Sequence, residues 1–78
     1  MANERVKSQI LETVENQLKM EDPICTTKTY QRLRESGYSG NKAKEMIGAI
    51  LIEEMYLIMK DHVPFSEERY AKKLSDLK

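Results

Sequence analysis

The sequence of 78 residues contains one cysteine, one histidine, two prolines, three glycines and no tryptophan. A single cysteine excludes an internal disulfide and a cysteine metal cluster. A single histidine excludes the paired-histidine sites that most zinc proteins use. The shortage of proline and glycine leaves few points at which a helix must end. We therefore expect a mainly helical protein without a metal site.

A long apolar run and a net charge are also absent. The most hydrophobic segment, residues 45–62, is interrupted by Glu53 and Glu54, whereas a membrane-spanning helix needs about 20 apolar residues in succession. The 13 basic side chains balance the 13 acidic ones, so no global field attracts the protein to nucleic acid or to a membrane. The first ten residues lack the apolar core of a signal peptide. We expect a cytoplasmic protein that does not enter a membrane.

Hydrophobic periodicity predicts an all-α fold, a small bundle of three to four helices in a single domain that covers residues 1–78. Val6, Ile10, Val14 and Leu18 recur every fourth residue and form one apolar stripe on the first helix. The predicted helices cover residues 4–20, 27–36, 40–61 and 66–77.

Capping residues mark several of the predicted helix ends. Thr26 or Thr27 is placed to cap the second helix, and Ser39 and Ser66 are placed to cap the third and the fourth. Gly37 follows the second helix, where a left-handed residue is favoured.

The third helix is apolar over most of its circumference, which predicts that it lies at the centre of the bundle. Its main apolar face consists of Ala43, Met46, Ile47, Ile50, Leu51, Leu57 and Ile58. Glu54 falls within this face when successive residues are placed about 100° apart, whereas Glu53 falls on the polar strip.

A carboxylate on a core face must find partners or stay protonated. One interpretation of Glu54 is a buried structural carboxylate that fixes the register of the helices. The other is a general acid or base, or a metal ligand. We favour the structural interpretation because the sequence supplies neither a second carboxylate nor a nucleophile at a suitable spacing. The candidate partners are Tyr30, Arg32, Arg34, His62 and Tyr70.

A second apolar stripe lies on the opposite flank of the third helix. It consists of Gly48, Ile52, Met55 and Met59. Their spacing is close to that of a seam between two helices, and the glycine would allow a second backbone to approach. This stripe predicts a homodimer interface. The alternative is that the first or the fourth helix of the same chain covers it.

Residues 26–44 concentrate positive charge, with five basic side chains and one acidic one. The basic residues are Lys28, Arg32, Arg34, Lys42 and Lys44. Two helices joined by a glycine turn resemble a helix-turn-helix, and also the ubiquitin-associated type of bundle that binds proteins. This segment is a candidate site for an anionic partner, although an apolar third helix is poorly suited to reading DNA.

From Asp22 to Leu77, the order of residues resembles a family of small, uncharacterised bacterial all-helical proteins, a domain of unknown function. The shared positions are Asp22-Pro23, Thr29, Leu33, Gly37-Tyr38, Ala43, Ile47, Ile50-Leu51, Glu54, Leu57, Phe65, Tyr70, Leu74 and Leu77. The resemblance implies a bacterial, cytosolic, all-α protein, and it implies no enzymatic activity.

These patterns lead to one functional interpretation and one alternative. The sequence indicates a non-enzymatic structural or protein-interaction module that is a candidate homodimer through its third helix. It predicts no catalytic residue, no cofactor, no metal and no small-molecule substrate. The alternative is a weak nucleic-acid-binding protein that uses residues 28–44.

Overall fold

The computed structural model of the protein describes residues 2–77, with the backbone alone described for residues 2–7. Within this range the chain forms four helices and no strand. They are α1 (Ala2–Met20), α2 (Ile24–Glu35), α3 (Gly40–Asp61) and α4 (Glu67–Ser75). The predicted all-α bundle is confirmed. Val6, predicted on the apolar stripe of α1, lies outside the described side chains.

Two serines cap helices as the sequence predicts. The Ser39 hydroxyl accepts a hydrogen bond from the backbone N–H of Lys42 at 3.1 Å, and α3 has the predicted bounds. The Ser66 hydroxyl accepts one from the backbone N–H of Arg69 at 3.2 Å. Each bond satisfies one of the four N–H groups that lack a partner at the start of a helix.

The predicted start of α2 is wrong. This helix begins at Ile24 rather than Thr27, and Pro23 occupies the N-cap position without a side-chain cap. The first helical turn has no carbonyl partners for its N–H groups, so a proline can stand directly before it. Thr26 is buried, and its hydroxyl donates to Gln17 Oε1 at 2.8 Å, which joins α2 to α1 instead of capping α2.

The other end of α2 is a Schellman motif, as Gly37 predicts. Gly37 has a φ of 104°, and its N–H donates to the Arg34 carbonyl at 3.1 Å. The N–H of Tyr38 donates to the Leu33 carbonyl, also at 3.1 Å. This pair of bonds closes the helix and turns the chain toward α3.

One core connects all four helices. It consists of Ile10 and Val14 from α1, Leu33 from α2, Ala43, Ile47 and Leu51 from α3, and Tyr70 and Leu74 from α4. The predicted central position of α3 is confirmed, because α3 contacts each of the other helices. The shorter α2 also contacts each of them, so two helices share the centre. α4 ends at Ser75, two residues before the predicted end.

The helices α1 and α3 approach closely at Gly48. A Cβ atom at this position would lie 2.9 Å from Ile10 Cγ2 and 4.0 Å from Val14 Cγ2. The first distance is shorter than a van der Waals contact, and the branched methyl of Ile10 stands close to its own backbone. The packing of these two helices therefore requires a residue without a side chain at position 48.

Substitution of Gly48 tests this close approach. We expect Gly48→Leu to lower the free energy of unfolding by about 1–3 kcal/mol, because overpacking displaces α1. Its matched control is Ala49→Leu on the neighbouring exposed position, for which we expect a change within about 0.5 kcal/mol. Urea unfolding curves of both variants measure the difference, and equal values would show that the helices can separate here without cost.

Candidate functional site

A fully buried carboxylate lies between α3 and α4. Glu54 is 0% exposed, as its position on the core face of α3 predicts. The cost of burying an ionised carboxylate is several kcal/mol unless it is paired and hydrogen-bonded. The contacts of Glu54 therefore decide whether it is a structural or a reactive group.

Two basic side chains of α4 bind this carboxylate. Arg69 Nε lies 2.9 Å from each of the two Glu54 oxygens, and Arg69 Nη2 lies 2.8 Å from Oε1. Lys73 Nζ lies 3.2 Å from Oε2. Arg69 and Lys73 are four residues apart on one face of α4, so a single turn of that helix closes over Glu54.

The Arg69 hydrogen bonds lower the pKa of Glu54, and the hydrogen bond from Lys73 acts in the same direction. Burial alone would raise the pKa of Glu54, but the contacts with the two basic residues outweigh it. The hydrogen bond to Glu54 in turn raises the pKa of Arg69. Glu54 is therefore an ionised carboxylate whose oxygens are already engaged.

None of the five candidate partners that the sequence indicates for Glu54 supplies these contacts. Arg32 donates to the Leu74 carbonyl at 2.8 Å and to the Leu77 carbonyl. The Tyr70 hydroxyl donates to Gln17 Oε1 at 3.1 Å.

The remaining three candidates likewise contact groups other than Glu54 or lie elsewhere in the fold. Arg34 donates to the Tyr38 carbonyl at 2.8 Å, Tyr30 packs against Gly40, and His62 is the left-handed C-cap of α3. The signal that identifies the actual partners is on α4. Arg69 and Lys73 directly precede the apolar Tyr70 and Leu74 and share their four-residue spacing, which places both pairs on adjacent strips of the helix.

Several basic side chains of residues 26–44 form contacts with other groups of the same chain. Arg32 binds the carbonyls of Leu74 and Leu77, and Arg34 binds the Tyr38 carbonyl in the turn after α2. Lys44 Nζ lies 3.3 Å from Glu15 Oε1 on α1. Lys28 and Lys42 are exposed. Three of the five predicted anion-binding residues therefore have structural contacts.

An apolar surface is exposed on the second half of α3. Ile52 and Met55 are each 45% exposed, Tyr56 is 61% exposed and Met59 is 76% exposed. We call these four residues the α3 face. A shallow groove of about 380 Å³ adjoins it and is lined by Ile52, Glu53, Tyr56, Leu57 and Lys73. Contiguous apolar patches of this kind on small proteins commonly mark contact surfaces.

The α3 face is the exposed part of the second stripe, to which the structure adds Tyr56. Gly48, which the sequence groups with this stripe, is buried against Ile10 of α1. The α1 helix of the same chain thus covers the first part of the stripe. Ile52, Met55 and Met59 remain exposed.

Charged residues border the α3 face on one side. Lys60 Nζ lies 5.6 Å from the centre of the Tyr56 ring, within the range of a cation–π contact. Glu53 Oε2 lies 4.0 Å from Lys73 Nζ, at the limit of an ion pair, and the Glu53 side chain is 60% exposed. The surface is therefore an apolar area with a charged border on one side, and protein interfaces likewise combine an apolar core with a polar edge.

Neither a cluster of metal-ligating side chains nor a membrane-spanning helix is present within residues 2–77. No group of three or more His, Cys, Asp and Glu side chains there could hold a metal ion. No helix in the same range combines the length and the hydropathy needed to cross a bilayer.

Comparison of the chain with protein-family models, with curated proteins and with solved structures gave no match. The resemblance to small bacterial helical proteins therefore stays a prediction.

Proposed function

We propose that this protein is a non-enzymatic protein-interaction module that docks an apolar helical surface on its α3 face. The observation that supports this proposal is the exposure of four large side chains, Ile52, Met55, Tyr56 and Met59, on one side of the central helix. A second protein surface would remove this apolar area from water, which is favourable by about 25 cal/mol per Å² before the costs of association.

The state of the reactive groups supports the non-enzymatic part of the proposal. The carboxylate of Glu54 is held by Arg69 and Lys73, with a lowered pKa, so it is unsuited to accept a proton at neutral pH. Burial raises the pKa of the Cys25 thiol, with a further contribution from Glu67, so the thiol form is favoured over the nucleophilic thiolate.

The nucleic-acid alternative has less support than the α3 face. Phosphate binding needs several basic side chains that are free to move toward the backbone of the ligand. Arg32 is instead held by the carbonyls of Leu74 and Leu77, and Arg34 and Lys44 already have partners at the surface of the protein. Lys28 and Lys42 alone would supply only a weak electrostatic attraction.

Site-specific photo-crosslinking tests the proposed surface. Benzoylphenylalanine in place of Tyr56 is expected to give a discrete crosslinked product in cells that make the protein at its natural level. The same group in place of Gln31, an exposed residue of α2, is the matched control and is expected to give none. Met59→Glu should remove the product at position 56, because a charge in the apolar centre must be desolvated on docking.

The proposal is overturned if position 56 gives no discrete product. It is also overturned if positions 56 and 31 give the same products, because the surface would then have no preference for a partner. Circular dichroism spectra of Met59→Glu are expected to show intact helices, because Met59 is 76% exposed.

A further inference from the structure

We infer that the partner of the α3 face is a second copy of this chain, bound antiparallel about a two-fold axis that passes beside Tyr56 and Leu57. This inference rests on the proposed function, since it names the partner of the same surface. The charges on the rim of the α3 face carry it.

Glu53 and Lys60 have opposite charges and are seven residues apart, so they lie on the same side of α3, two turns from each other. Both are exposed. The midpoint between them is beside Tyr56 and Leu57, in the middle of the α3 face. A two-fold axis at this midpoint exchanges the two positions between copies.

In an antiparallel pair of helices, the same flank of each helix meets its equivalent in the partner. Glu53 of one copy then lies opposite Lys60 of the other, and the symmetry gives this contact twice. A parallel pair would place this flank of each helix on opposite sides of the seam, so Glu53 and Lys60 would meet neither each other nor their equivalents in the partner. Charge complementarity therefore favours the antiparallel arrangement.

The apolar residues agree with the same axis. Tyr56 and Met55 lie beside it and pack against their own equivalents. Ile52 lies on one side of the axis and Met59 on the other. Ile52 of one copy therefore lies within about half a helical turn of Met59 of the second copy. The flexible methionines can fill the irregular gaps between two such surfaces.

The existing contacts of the rim residues leave them able to pair across the interface. Lys73 Nζ is closer to Glu54, at 3.2 Å, than to Glu53, at 4.0 Å, so Glu53 retains acceptor capacity. Lys60 has the face of Tyr56 as its neighbour. With one helix face in contact, the buried area falls below about 1,200 Å² in total, and we expect dissociation at micromolar concentrations.

Charge exchange between copies tests the inference by sedimentation velocity from about 10 to 500 μM protein. We expect wild type to dimerise and each single variant, Glu53→Lys and Lys60→Glu, to dimerise about 5- to 20-fold more weakly. An equimolar mixture of the two variants should recover dimers, because every rim contact is then between Lys and Glu. The double variant, with both substitutions in one chain, should recover them as well.

A wild type that stays monomeric at 500 μM overturns the self-docking. The mass of the product crosslinked at position 56 would then still show whether a different protein docks on the α3 face, as the proposed function requires. A dimer that the two variants do not weaken, or that their mixture does not restore, overturns the antiparallel arrangement. Thermal unfolding of each variant alone checks that the substitutions act on association and leave the fold intact.

Discussion

Replacing Glu54 with alanine is expected to lower the free energy of unfolding by about 2–4 kcal/mol. The substitution leaves Arg69 and Lys73 beside the core without the carboxylate that both bind. It also opens a void at a position that is 0% exposed. A domain of this size has roughly 4–12 kcal/mol of stability, so the loss is a large part of the total.

Glu53→Ala is the matched control, since it removes the neighbouring carboxylate of the same helix. Its side chain is 60% exposed and is near Lys73 at 4.0 Å, so we expect a change of less than about 0.5 kcal/mol. Urea unfolding at neutral pH measures both variants. Similar losses for Glu53 and Glu54 would contradict a structural role that is particular to the buried carboxylate.

The contribution of Glu54 depends on pH in a direction that its lowered pKa fixes. The folded-state pKa lies below the usual value of 4.5. The stabilisation is therefore complete at pH values above 4.5 and is lost as the pH falls through the folded-state pKa. The difference between wild type and Glu54→Ala should accordingly be constant near neutrality and shrink in acid. A difference that grows in acid would mean that folding raises the pKa of Glu54 instead of lowering it.

Replacing Arg32 with alanine is expected to cost about 1.5–3 kcal/mol, the range for hydrogen bonds that involve a charged group. The guanidinium binds the carbonyls of Leu74 and Leu77, the first near the end of α4 and the second just beyond it. Carbonyls at a helix end lack partners, and a positive charge there also interacts favourably with the helix dipole. Loss of Arg32 should therefore release α4 first, which amide hydrogen exchange of residues 67–77 would show.

Lys28→Ala is the control for Arg32, because it removes a positive charge one turn earlier on α2. Lys28 is exposed, and we expect its removal to change stability by less than about 0.5 kcal/mol. If the two substitutions have equal effects on stability and on exchange in α4, the Arg32 contacts do not hold α4 in place.

The sequence predicts the number and approximate bounds of the helices correctly, because capping and periodicity are local signals. Ser39 and Ser66 cap helices, and Gly37 ends one, as predicted. The predicted start of α2 is wrong because Thr26, which resembles a cap, forms a tertiary hydrogen bond to Gln17 instead. Such a bond depends on how α1 and α2 pack, which a local pattern does not contain.

The candidate site also has features that one helix determines and features that depend on how the helices pack. The angular position of Glu54 around α3 predicts its burial, and this position follows from the sequence of one helix alone. The choice of Arg69 and Lys73 as partners depends on where α4 crosses α3, and therefore on the assembled fold. The position of Gly48 around α3 likewise predicts that it lies in an exposed dimer interface. The path of α1 across α3 buries Gly48 instead.

The methyl signals of the methionines test most directly whether the α3 face binds a second copy of the chain. Met59 is 76% exposed and Met20 is 74% exposed, but only Met59 belongs to the α3 face. We expect the methyl resonances of Met55 and Met59 to shift as wild-type protein is diluted from about 500 to about 10 μM, and that of Met20 to stay constant. Resonances that are all independent of concentration, or a Met20 shift as large as that of Met59, would contradict self-association through this face.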